Sequence, residues 1–218
     1  FFVYGKMLAG RSKATRLKLR PLGGKPFHNR CVYMSQKAFY FITGSSASGK
    51  TTLLKGVIHS IYPKLTAYYF DKIGIPTIEE MNVKFGGPAQ WQAYSVRKWI
   101  ERINLSESAN FIVLDGQTRP KVLSDTSREL AITSLHITLI DCSHEVRRNR
   151  LLKNRIQPEL DNLDMYAWAA YLRGQADALN LEIIDTTDKN IEVSIIELAN
   201  SIKRFSEECE MPVEISSK

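Results

Sequence analysis

Eight consecutive residues, Gly44-Ser45-Ser46-Ala47-Ser48-Gly49-Lys50-Thr51, carry the spacing G-x-x-x-x-G-K-[ST]. Glycines at these positions let the backbone curl so that successive N–H groups converge on phosphate oxygens. The apolar run Ala38 to Thr43 before it reads as a buried strand, and Thr52 to Ile58 after it as a helix. The N-terminus of such a helix adds the positive end of its dipole. The chemistry would be binding of ATP with Mg²⁺. Backbone and hydroxyls from Gly44 to Thr52 would form the cradle, Lys50 would reach the β- and γ-phosphates, and the Thr51 hydroxyl would ligate the metal.

Further residues stand where they could complete a phosphoryl transfer. Asp115 follows Phe111-Ile112-Val113-Leu114, a carboxylate at the end of an apolar strand. Mg²⁺ is held through a few oxygens, so Asp115 is the second candidate metal ligand beside Thr51. Asp71 closes the run Thr66-Ala67-Tyr68-Tyr69-Phe70 and could accept or orient the proton of an acceptor hydroxyl. Arg119 lies at the same strand end as Asp115. Arg147, Arg148, Arg150 and Arg155 crowd nine positions, and arginines that close over a transferring phosphoryl group stabilise its charge. Arg150 and Arg155 are the best placed, with Gln157 to Asp161 as a short lid loop. Trp91 could touch an acceptor, whereas Trp99 and Trp168 read as packing residues.

These residues need elements to position them. Strands are expected at 38–43, 66–70, 111–115, 135–141 and 181–185. Helices are expected near 51–61, from Pro76, at 89–103, 120–130, 144–155, 162–179 and 190–206. This alternation predicts an α/β fold, a three-layer, doubly wound parallel five-stranded sheet with a short lid. Such sheets bind ligands beyond the C-terminal ends of their strands, where Asp71, Asp115, Asp141 and Asp185 stand.

Composition sets the bounds. The chain has 218 residues, 44% of them hydrophobic, enough for one domain with a core. No apolar run reaches the roughly 18 residues of a transmembrane helix. Cys31, Cys142 and Cys209 show no metal or disulfide spacing, which suits a reducing compartment such as the cytoplasm. The net charge of +7 is unevenly spread: all eight charged residues in positions 1–33 are basic, leaving 22 basic and 23 acidic residues on 34–218. Residues 1–33 read as a disordered basic extension. They could be a nucleic-acid or membrane-binding arm, an organelle transit peptide, or a stretch foreign to the native domain. The last is preferred, because the chain lacks an initial Met and Met34 stands just before the first strand. Positions 34–208 are then the domain and 209–218 a frayed tail. Nucleic-acid and membrane partners are not expected; a small-molecule acceptor is, with the protein a monomer or homodimer.

The order of motifs resembles the nucleotide and small-molecule kinase branch of the P-loop nucleoside triphosphate hydrolases, which includes adenylate, gluconate and shikimate kinases and chloramphenicol phosphotransferase. Asp115-Gly116-Gln117-Thr118-Arg119 is similar to the Asp-Gly-Phe-Pro-Arg segment of adenylate kinases. Three blocks resemble a group of bacterial adenylate kinase-like (AAA-type) P-loop proteins. They are Phe70 to Pro76, Asp115 to Arg119, and Arg155 to Leu160 together with Trp168 to Arg173. The resemblance implies an ATP- and Mg²⁺-dependent phosphotransferase. By it, Asp71 faces the acceptor, Arg119 grips phosphate, Arg150 and Arg155 belong to a lid, and the loop of Thr186 and Thr187 wraps the adenine. The acceptor stays open between a hydroxyl and a phosphate. A polynucleotide-end kinase and a non-catalytic ATP-binding switch are the alternatives. The Asn-Lys-x-Asp signature of GTPases is absent.

Overall fold

A computed structural model of the chain describes residues 37–106, 109–211 and 213–214. The basic segment 1–33, the Met34 boundary and Cys31 lie outside them. Twelve elements carry the fold: β1 (Ala38–Thr43), α1 (Lys50–Ser60), β2 (Ala67–Tyr69), α2 (Ile78–Phe85), α3 (Pro88–Leu105), β3 (Phe111–Asp115), α4 (Pro120–Glu129), β4 (Leu135–Asp141), α5 (His144–Asn149), α6 (Leu163–Ala178), β5 (Glu182–Asp185) and α7 (Ile191–Glu208).

The five strands form one sheet in the order β2-β3-β1-β4-β5. Every pairing is parallel. Parallel strands need crossover helices on the faces, so their residues are buried on both sides. Accordingly β1 and β3 are buried at every position. Side chains alternate between two cores. Tyr40, Ile42, Val113, Ile140 and Ile184 face Leu54, Val57, Leu198 and Ile202 of α1 and α7. Phe39, Phe41, Ile112 and Leu114 face Val96, Trp99, Ile100 and Leu123 of α3 and α4. Strand β1 sits between β3 and β4, so the chain departs from it in opposite directions. The crevice at its C-terminal end is the topological switch point, where open α/β sheets take their ligands.

Two elements differ from the sequence-based expectation. The second strand stops at Tyr69, because Phe70 turns into the core and opens a short 3₁₀ turn, Phe70–Ile73, which ends at Gly74 (φ +86°). Asp71 therefore sits on that turn rather than at a strand end. The basic helix expected over 144–155 is α only to Asn149 and continues as a π-turn over Arg150–Arg155. Of the stretch read as a frayed tail, Cys209, Met211 and Val213 lie partly buried against the α1/α7 core.

Candidate functional site

Strand β1 ends at Thr43, whose Oγ1 donates to the Thr118 carbonyl (2.5 Å) and fastens the loop after β3 to the loop after β1. Gly44 comes next at φ +149°; a Cβ there would stand 2.2 Å from the Ile140 carbonyl oxygen of β4. Gly49 takes φ +109° at the N-cap of α1, and no side chain caps that helix. The N–H groups of its first turn are thus left for an anion, as an uncapped helix start provides.

Lys50 folds back so that Nζ donates to the Ser45 carbonyl (2.9 Å), across the mouth of the loop. Burial pushes its ammonium below the usual lysine range, and the Asp115 and Asp71 carboxylates oppose that fall. Thr51 Oγ1 donates to Asp115 Oδ2 (2.5 Å). Asp115 is 4% exposed, and its other oxygen, Oδ1, is buried with no hydrogen-bond partner. Burial raises its carboxyl pKa, against the pull of Lys50 and Thr51. An orphaned carboxylate oxygen beside a threonine hydroxyl is a hard-oxygen donor pair of the kind Mg²⁺ takes. Among the described residues no group of three or more His, Cys, Asp or Glu could hold a metal by itself. Mg²⁺ on a polyphosphate needs only one or two carboxylates, so Thr51 and Asp115 fit it.

A cavity of about 970 Å³ opens over this loop. That lies within the usual range of small-molecule sites, about 300–1,000 Å³. Ser46 to Thr52 line it together with Asp71, Asp115, Arg150, Arg155 and Thr186. Lys50, Lys55, Lys72, Arg150, Arg155 and Lys189 stand on its wall against the two carboxylates of Asp71 and Asp115. The wall is therefore suited to a polyanion. Tyr69, Lys72, Gln117, Asn154 and Lys189 also line it and are not among the sequence-derived candidates. Tyr69 and Lys72 flank Asp71, and Gln117 lies between Asp115 and Arg119, so their proximity to candidates is the signal that could have found them.

The arginines divide. Arg147 is 3% exposed; it donates to Ser45 Oγ (2.8 Å), Asp141 Oδ1 (2.9 Å) and the Cys142 carbonyl (3.0 Å). It thus braces the loop from behind. Arg148 pairs with Asp161 at the surface. Arg150 donates to the Ser48 carbonyl (3.1 Å) and to the Thr186 hydroxyl (2.9 Å) and carbonyl (3.0 Å), tying the loop to the turn after β5. Residues five apart fall on different faces of an α-helix. The wider winding of the π-turn returns Arg155 to the side of Arg150, and both line the cavity.

Several sequence candidates lie elsewhere. Arg119 is not on the cavity wall. Its Nη1 donates to Gln92 Oε1 (2.8 Å), and its guanidinium lies 4.7 Å from the Trp168 ring centre. Gly44 and Ser45 are not on the cavity wall: Gly44 lies against the Ile140 carbonyl, and the Ser45 hydroxyl accepts from Arg147. Thr187 caps locally: its hydroxyl meets Asp185 (2.5 Å) and accepts from the Ser143 amide (2.8 Å). Trp91 is buried against Phe70.

No protein-family model and no curated protein matches the chain. Solved structures do. A gluconokinase from Sinorhizobium meliloti 1021 is similar over 80% of this chain and 97% of its own, with a TM-score of 0.51 and 14% identity. A shikimate kinase from Acinetobacter baumannii in complex with shikimate is similar over 80% and 96%, with a TM-score of 0.49 and 13% identity. A third structure, a shikimate kinase from Aquifex aeolicus, is similar over 78% and 98%, with a TM-score of 0.47 and 18% identity. The α/β fold, with its five-stranded parallel sheet, is shared with that gluconokinase along nearly the whole of its length.

Proposed function

We propose that the protein transfers the γ-phosphoryl group of ATP to a small-molecule acceptor. The carrying observation is the cavity wall, where the uncapped start of α1 and Lys50 meet the Thr51–Asp115 pair, with Asp71 and Arg155 beside them. Lys50 holds the β- and γ-phosphates once its bond to the Ser45 carbonyl opens. Thr51 and Asp115 would hold Mg²⁺, which when bound neutralises phosphate charge. Asp71 accepts or orients the proton of an acceptor hydroxyl. Arg155, on the same wall, stabilises charge on the moving group. Arg150 and Thr186 keep the loop and the base-side turn in register. Arg119 acts through position, bracing the 116–119 loop against α3 and α6.

A purely nucleotide-sensing protein would need the loop and the metal pair alone; Asp71 and Arg155 on the wall favour transfer. Residues 34–218 balance 22 basic against 23 acidic side chains, which does not call for a nucleic acid, and free Cys142 and Cys209 suit the cytoplasm. No helix among the described residues is long and apolar enough to cross a membrane. The test is ADP formation from Mg-ATP with and without a pool of small metabolites. Acceptor-stimulated turnover in the intact protein, absent from Lys50→Ala, is the expected result. Turnover that ignores the pool would overturn transfer to those compounds.

A further inference from the structure

Gln117 is a cavity-wall side chain without a role in the reading above. Its backbone is fixed independently of its side chain. The buried Gln92 of α3 donates from Nε2 to the Gln117 carbonyl (3.3 Å). Gln92 Oε1 accepts from the Arg119 backbone N–H (3.2 Å) and guanidinium (2.8 Å). Thr43 holds the neighbouring Thr118 carbonyl (2.5 Å), and Arg119 is stacked on Trp168 of α6. Three elements therefore set where the Gln117 amide stands.

Gln117 lines the same cavity as Asp71, Asp115 and Thr186, and it follows β3 whereas Thr186 follows β5, on the other side of β1 in the sheet. Gln117 Oε1 accepts from Ser46 Oγ (3.2 Å), which turns its other polar atom, Nε2, into the group left for a ligand. Nε2 makes no hydrogen bond among the described residues. A neutral amide brings two donors to a polyanion without adding a third carboxylate to those of Asp71 and Asp115. We propose that Gln117 Nε2 donates to an oxygen of the terminal phosphate of ATP, so that Gln117 distinguishes ATP from ADP. The proposal rests on the nucleotide reading above and deepens it.

The test is the affinity of the full chain for Mg-ATP and for Mg-ADP, measured by calorimetry, in the wild type, Gln117→Met and Gln117→Glu. Methionine keeps the length and removes the donors; glutamate places a negative charge at the same atom. Each variant's thermal midpoint reports whether it folds, and Gln117→Glu serves if Gln117→Met does not. Hydrogen bonds to charged groups are worth enough that Gln117→Met should bind Mg-ATP about tenfold more weakly while Mg-ADP stays within about twofold. Gln117→Glu should lose more ATP affinity than Gln117→Met. Equal losses for both nucleotides, or no loss for either, would overturn the proposal while leaving the nucleotide site standing. A wild type that binds neither nucleotide would overturn the nucleotide reading and this proposal with it.

Discussion

In the proposed transfer Lys50 holds the phosphates, and its protonation is exposed to test. A bound polyphosphate favours the charged ammonium. Burial lowers the pKa of Lys50 from its ordinary 10.5 in the free site. Mg-ATP affinity should therefore fall as pH rises, beginning below 10.5, and Lys50→Arg should flatten the fall because a guanidinium keeps its proton. Titrations between neutral and alkaline pH check this; an affinity that stays constant up to the ordinary lysine pKa would contradict it. At this scale the loop was legible in the sequence because its chemistry is local. Glycines, lysine and threonine must be consecutive to curl around phosphate, and Asp115 had to close an apolar run. Arg119 and Gln117 were not legible in the same way. Which of two side chains in one loop faces a cavity depends on Gln92 and Trp168, contributed by α3 and α6, far away in the chain.

The elements matter through how they place single groups. Gly116 follows β3, and a Cβ there would lie 2.5 Å from Phe70 Cβ and 3.1 Å from its Cγ. Phe70 is 3% exposed and opens the turn that carries Asp71. Gly116→Ala should overpack this contact and cost about 1–3 kcal/mol of stability. It should also depress acceptor-dependent turnover more than Mg-ATP binding, since the displaced turn bears Asp71 rather than the phosphate loop. Chemical denaturation and paired binding and turnover assays measure the two effects, and an unchanged midpoint would contradict the packing argument. Strand and helix order was readable because apolar runs and helical spacing are intrinsic to short windows. The end of β2 and the π-turn at Arg150–Arg155 were not. The first depends on Phe70 finding the core beside Trp91. The second lies where Arg150 bonds to Ala47, Ser48 and Thr186, partners distant in sequence.

Across the whole molecule, the two parts of the sheet differ: residues at and after its C-terminal strand ends line the candidate site, and a polar network ties the α7 face to the sheet. Tyr40 links Thr138 (2.6 Å) and Ser201 (2.5 Å), and Glu182 takes hydrogen bonds from Ser201, His136 (3.0 Å) and Arg204 (2.7 Å). Burial alone would raise the Glu182 carboxyl, but these three donors outweigh it and hold the group down at about 2, against an ordinary 4.5. A carboxyl depressed in the folded state contributes stability above the unfolded value and loses it as pH falls through the folded one. The Glu182 contribution should thus be complete above pH 4.5 and fade toward pH 2, and Glu182→Gln should flatten that part of the acid stability curve. Equal acid dependence in both proteins would show that the network does not titrate as described. Transfer from ATP in this cavity is decided by following label. γ-Labelled ATP, Mg²⁺ and a pooled metabolite extract are incubated with the intact protein and with Lys50→Ala. Label is expected in a new small compound only with Lys50 in place. Tight ATP binding with label confined to ATP and inorganic phosphate would contradict it.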